Sequence, residues 1–153
     1  MSDHPLREFD LHTFLPYRLV AAANRTSRAF AERYRSEFGI SIAEWRVLAH
    51  LNHAGAVSVR DIEARVDMEK SKVSRAASRL QDAGYITKHV NGGDRRLLEL
   101  RLTPSGQALV ARLLPVAVAY QQEMLERLGD AAPGLIKALD ILLRDLPPGN
   151  GET

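Results

Sequence analysis

The chain contains no cysteine. That excludes disulfides, thiolate catalysis and thiol-based redox sensing, and it fits a cytoplasmic location. No run of about 18 apolar residues occurs, so no segment is expected to span a membrane. The N-terminus, Met1 to Glu8, lacks the apolar stretch of a signal peptide. A phosphate-binding Gly-rich loop, Gly-x-Ser-x-Gly and His-Glu-x-x-His are all missing, so the residues point to no enzyme and no cofactor. A large charge of one sign is missing as well: the 153 residues carry a net +2. That argues against a protein that coats polyanions indiscriminately. The composition, 45% hydrophobic and 26% charged, is that of an ordinary globular protein. Its length allows one domain, or one domain with an oligomerisation extension.

The charge that is present is unevenly placed. From Lys70 to Arg101 there are eight Lys/Arg against three acids, a local balance of +5, which leaves −3 for the rest of the chain. At the centre of this patch lies Glu69 to Gly84. Wound as a helix, it puts Val73, Ala76, Ala77 and Leu80 on one arc. Ser71, Ser74, Arg75, Ser78 and Arg79 take the opposite arc, with Lys70 and Lys72 flanking. Gly84 is placed to end the helix. The outer arc carries hydroxyls and cations and no acid. Hydroxyls and Lys bond phosphates, and Arg can fork onto guanine in a major groove wide enough for a helix. A basic stretch alone is usually a solvated helix face, so the flanking segments decide between the two readings.

On the upstream side, Ser41-Ile-Ala-Glu44 is a capping box, with Ile40 and Trp45 as its staple. The helix it opens ends near Gly55. Ser58 and Asp61 repeat the device for a short helix that buries Ile62 and Val66. Asp67-Met68-Glu69 is then the turn of a helix-turn-helix, with Asp67 tolerating a left-handed backbone. Downstream, the hydrophobic period changes to two in Tyr85–Val90 and Leu97–Leu102. Asn91-Gly92-Gly93-Asp94 between them signals a hairpin. The Arg95-Arg96 pair stands just past its tip. A basic hairpin after a helix-turn-helix is a wing.

The terminal segments are helical. Asp10 is placed to cap a first helix, with Phe9 and Phe14 as staple. Pro16 interferes with that start and implies a late start or a kink. The helix runs on to Gly39 for roughly five or six turns. Thr103-Pro104 opens another helix as cap and N1 proline, with a kink expected at Pro115. Gly129 to Gly134 reads as a turn, and Leu135 to Leu146 as a short apolar-faced helix. The expected architecture is mainly α with a small β-wing: a winged helix-turn-helix head over 40–103, a helical dimerisation region over 10–38 and 104–146, and a disordered tail over 147–153. The terminal helices carry more apolar residues than one thin layer covers, which favours a homodimer.

Four motifs in this order, Trp45-Arg46-Val47-Leu48, Lys70-Ser71-Lys72-Val73-Ser74-Arg75, Asp94-Arg95-Arg96 and Leu102-Thr103-Pro104-Ser105-Gly106, resemble the MarR (multiple antibiotic resistance regulator) family of winged-helix transcription factors. The resemblance covers about residues 10–146 in element order and 40–106 in motif detail. Its wing departs from the commoner Asp-Pro-x-Asp tip by having Asn91-Gly92-Gly93. The resemblance implies an obligate homodimer that sets two recognition helices in successive major grooves of a pseudo-palindromic duplex. It implies that Arg96 enters a minor groove and that Asp94 orients it. It also implies a repressor released by a small anionic or phenolic compound bound between the dimer helices and the head.

The expected DNA contacts are therefore Lys70, Ser71, Lys72, Ser74, Arg75, Ser78, Arg79, Asp94, Arg95 and Arg96. His12, Phe14, Tyr17 and Arg18 in the first helix, with Trp45 and Arg46, are expected to line a pocket for an aromatic carboxylate or its thioester. Trp45 is the better candidate for core, and surface arginines are usually only solvated. His50 and His53 stand one turn apart, but no Cys or carboxylate completes a metal site, so no metal is expected. The competing reading is a winged-helix protein–protein interaction module, or a repressor that answers to no ligand.

Overall fold

A computed structural model of the chain describes residues 8–90, 93 and 98–148. Asp10 caps only a single 3-10 turn, Leu11–Thr13, its carboxylate accepting from the His12 N–H at 2.9 Å. Phe9 and Phe14 meet edge to face across that turn, 5.3 Å between ring centres. The long helix α1, Leu15–Phe38, starts after it, with Pro16 in the first turn and Gly39 closing the far end at φ 66°. The late start is the one the proline favours, because first-turn N–H groups have no intrahelical acceptor to lose.

Helix α2, Ile42–Ala54, opens on the expected box. The Glu44 N–H donates to Ser41 Oγ at 3.2 Å, and the hydroxyl donates to the Glu44 carboxylate at 3.1 Å. Strand β1, Val57–Ser58, leads into α3, Val59–Arg65, where the Asp61 N–H donates to Ser58 Oγ at 3.1 Å. Asp67 takes φ 52° in the turn. Helix α4, Lys70–Asp82, then ends with Gly84 at φ 84°. The Tyr85 N–H reaches the Leu80 carbonyl and the Gly84 N–H reaches that of Gln81, the paired bonds of a Schellman cap.

Strands β2, Ile86–Val90, and β3, Leu98–Leu102, pair antiparallel with Lys88 opposite Leu100. The short β1 adds to the other edge of β3, Val57 opposite Leu100, giving a three-stranded sheet in the order β1-β3-β2. This third strand goes beyond the expected two-stranded wing. The hairpin tip lies outside the described residues apart from Gly93.

Helix α5, Pro104–Leu128, is capped by Thr103 and continues through Pro115. It returns along α1. Tyr120 Oη donates to the Thr26 carbonyl at 2.9 Å, its ring stacks on Phe30, Arg33 pairs with Glu123, and Arg112 pairs with Glu37 at 3.3 Å. One core joins Val47, Leu48, Leu51, Ile62, Val73, Ala76, Ala77, Leu80, Ile86 and Leu100 of the head with Ala31 and Tyr34 of α1 and Leu109, Val110 and Leu113 of α5. The inner half of each long helix therefore belongs to the head's core.

The turn expected over Gly129–Gly134 is shorter than that. A 3-10 turn, Gly129–Ala131, passes directly into α6, Ala132–Asp145, because Pro133 suits a helix's first turn. Leu135, Ile136, Leu139, Leu142, Leu143 and Leu146 are all exposed, as are Phe9, Leu11, Phe14, Leu15, Leu19 and Val20 at the other terminus.

Candidate nucleic-acid interface

The two arcs of α4 divide as their chemistry requires. Val73, Ala76, Ala77 and Leu80 are at most 1% exposed. Lys70, Ser71, Lys72, Ser74, Arg75, Ser78 and Arg79 all face solvent. Burying the first set fixes the rotation of the helix about its axis, and so decides which side chains the head presents.

Beside this face runs a groove bounded by α3, α4 and the sheet. Ser58, Arg60, Glu63, Lys70, Ser74, Ser78, Lys88 and Leu98 line it. Arg60 and Lys88 are the cations that the sequence reading did not include among the contacts. Lys88 had a signal, being one of the basic residues of the Lys70–Arg101 patch, whereas Arg60 stands outside that patch.

The outer arc of α4 carries no acid of its own, but Arg79 meets one that α2 supplies. Its Nε–H donates to Glu44 Oε1 at 2.8 Å, and the Glu44 side chain is only 11% exposed against 54% for Arg79. A carboxylate this far from water is rarely found unpaired, so Arg79 serves as its partner. Asp94, Arg95 and Arg96 lie outside the described residues.

Among the described residues, the expected effector residues divide between two clefts. His12, Tyr17 and Arg18 line a cleft with Ala21, Ala22 and Arg25, and the His12 and Tyr17 rings stand 5.6 Å apart, edge to face. Trp45 instead packs on Phe30, 5.4 Å between ring centres, and lines a separate cleft with Tyr120, Met124, Leu128 and residues of α6. Phe14 and Arg46 line neither of these two clefts. The separation follows from helix length. Arg18 and Phe30 are twelve residues apart on α1, about 18 Å at 1.5 Å per residue.

Arg46 lies close enough to Tyr34 to act on its hydroxyl. Burial raises that group above its ordinary pKa, with Arg35 and Arg46 opposing. His50 is held below its ordinary pKa by burial, then by Arg65 and His53, and its buried Nε2 has no hydrogen-bond partner. No group of three potential metal ligands occurs among the described residues. No described helix is long and apolar enough to cross a membrane.

A helix-turn-helix with an exposed hydroxyl-and-cation face, backed by a three-stranded wing sheet, defines a winged-helix DNA-binding regulator. Residues 38–97 match the MarR family model. The chain is 31% identical over 99 residues to the transcriptional repressor MdtR of Bacillus subtilis, covering 58% of this chain and 63% of that one. Its fold matches a MarR family regulator from Silicibacter pomeroyi with TM-score 0.72 and 29% identity, over 88% of this chain and 99% of that chain. It also matches BpsR of Bordetella bronchiseptica, whose DNA binding is regulated by 6-hydroxynicotinic acid, with TM-score 0.79 and 24% identity over 90% and 98% of the two chains. By these likenesses the chain is a winged-helix protein similar to the MarR family of transcription factors. Its homologues are named transcriptional regulators, which supports a DNA-binding regulator; MarR family regulators bind DNA as dimers and are not enzymes.

Proposed function

We propose that the protein is a homodimeric repressor that reads a pseudo-palindromic duplex with α4 and is released by a small aromatic acid. The carrying observation is the division of α4, with four apolar residues sealed in the core and Ser71, Lys72, Ser74 and Arg75 projecting from the first half of its outer face. Reading helices present their N-terminal residues to base edges. Lys70 and Ser78, with Arg60 and Lys88 across the groove, suit phosphates on either side. Arg79 is left out of this set because Glu44 holds it. The resemblance adds Asp94, Arg95 and Arg96 at the minor groove.

Dimerisation accounts for the apolar residues left exposed at 9–20 and 135–146. Those segments, with the outer halves of α1 and α5, form the dimerisation region of this reading, and the winged head is the DNA-binding unit. Half-sites then fall about one helical turn apart. A dimer bound over a promoter blocks polymerase, and the repressor MdtR lends support to that sign of regulation.

Selection from a randomised duplex library, followed by footprinting, tests the reading. Protection of a single asymmetric half-site contradicts it. Arg75→Ala is expected to cost about 1–3 kcal/mol on the selected duplex and to relax base preference at one position per half-site. Equal loss on every sequence makes Arg75 a phosphate contact instead.

For the effector, the cleft of His12, Tyr17, Arg18 and Arg25 fits an aromatic carboxylate better than the Trp45 cleft does. It offers two rings and two guanidinium groups, whereas a carboxylate beside Trp45 would lie among mostly apolar side chains. The acid that regulates BpsR is of this class. Arg18→Ala is expected to weaken an aromatic acid found by thermal-shift screening by about tenfold, the loss of one charge-assisted bond. Trp45, the chain's single tryptophan, serves as a reporter. A hit that quenches Trp45 and ignores Arg18→Ala moves the site to the other cleft. Inverting a 99:1 population needs about 5.5 kcal/mol of differential affinity, so partial release is the expected response. A screen in which no hit alters DNA affinity leaves a repressor without this class of effector.

A further inference from the structure

Glu44 does more than cap α2. A capping glutamate at the third helical position needs only to reach back over the helix end, and glutamine serves there as well. This carboxylate is instead nearly buried, takes the Ser41 hydroxyl on one oxygen, and receives the Nε–H of Arg79 from 35 residues away on the same oxygen. The pair spans from the first turn of α2 to the outer arc of α4.

Arg79 lies nine residues beyond Lys70, about 13 Å along the α4 axis. Base edges are read from the other end of such a helix. An untied arginine at this position meets the phosphate backbone, which adds affinity for every sequence equally and lowers the ratio of specific to non-specific binding. An adjacent carboxylate offsets that charge and holds the side chain against the head. We propose that Glu44 is a specificity-determining residue, which ties Arg79 to α2 and keeps it from gripping phosphates indiscriminately. The inference rests on α4 being the reading helix.

The test measures affinity against salt for four proteins: wild type, Glu44→Gln, Arg79→Gln and the double variant. Two duplexes are used, one selected by the wild type from a random library and one of unrelated sequence. Glutamine keeps the capping box and removes the charge. Glu44→Gln is expected to steepen the log–log salt slope on the unrelated duplex by about one per protomer. It should tighten that binding about tenfold per protomer near 0.1 M salt, and so narrow the preference for the selected duplex. The double variant returns to the wild-type slope, because no cation is left to release. Arg79→Gln alone keeps the wild-type slope.

An unchanged slope in Glu44→Gln overturns the proposal, as does a steeper slope that persists in the double variant. A slope that falls by about one per protomer in Arg79→Gln also overturns it, since Arg79 would already be on a phosphate. That last arm decides the matter even where Glu44→Gln does not fold. Failure of the α4 reading looks different, because Arg75→Ala would then leave affinity for the selected duplex untouched.

Discussion

Leu143→Glu combined with Leu146→Glu is expected to break the dimer and to lower operator binding by about 10²–10⁴-fold, the range that linking two binding modules contributes. Leu143 is 76% exposed and Leu146 61%, so the described residues cover little of either. Both lie outside the core cluster and away from the Trp45 cleft. The head should therefore keep its secondary structure and much of its melting cooperativity. In a dimer these leucines meet a second copy, and each is worth about 1.5–3 kcal/mol when fully covered. Four buried glutamates with no partner add a desolvation cost that such an interface does not tolerate. A lone head then binds one half-site. Sedimentation reads the dissociation directly, and a DNA titration reads its consequence. A variant that stays dimeric and keeps its affinity places the interface elsewhere. One that unfolds as it dissociates shows that the fold depends on the second copy, as in an obligate homodimer.

What the sequence made legible was local. Ser41 with Glu44, Ser58 with Asp61, and Thr103 with Pro104 each set a helix start within four residues, and all three caps form as expected. The α4 arcs follow from a period of 3.6, and its four inward residues are buried. Three features stayed hidden for reasons of scale. Val57–Ser58 is too short to show a period of two, and it becomes a strand only because β3 offers an edge. Arg79 reads as one more cation on a basic face until Glu44, distant in sequence, is folded against it. The effector residues share a chemistry in the sequence, but the length of α1 keeps Arg18 away from Trp45. Gly129–Gly134 carries turn-forming residues throughout, yet its proline sits where a helix begins better than a loop continues. In the first three cases the missing information was a distance between segments, which composition and periodicity do not carry.

Gly106→Ala is expected to destabilise the fold by about 3 kcal/mol, from overpacking and at least one weakened hydrogen bond. Gly106 sits in the first turn of α5, directly against the end of the α4–β2 connection. A methyl group there would come within 3.2 Å of Leu102 Cδ2 and closer still to the Tyr85 carbonyl oxygen, which is backbone and has little room to move. That same oxygen accepts the Thr103 N–H at 3.0 Å. Thr103 Oγ1 in turn donates to the Gly84 carbonyl at 2.6 Å and accepts the Gly106 N–H at 3.0 Å. The Thr-Pro-Ser-Gly run is thus the clamp that holds α5 to the junction of recognition helix and wing. Pushing α5 outward by the width of a methyl strains all three bonds at once, and it shifts the head relative to the dimer scaffold. For a chain of this size the melting temperature should fall by about 6–12 °C. Gly134→Ala is the matched control. No atom lies within 4 Å of its added methyl, and it sits inside α6, so stability should hold or rise by about 0.5–1 kcal/mol. Equal melting temperatures for the two variants would mean that α5 relaxes away from Tyr85 at no cost, and the clamp would then have no part in fixing the head.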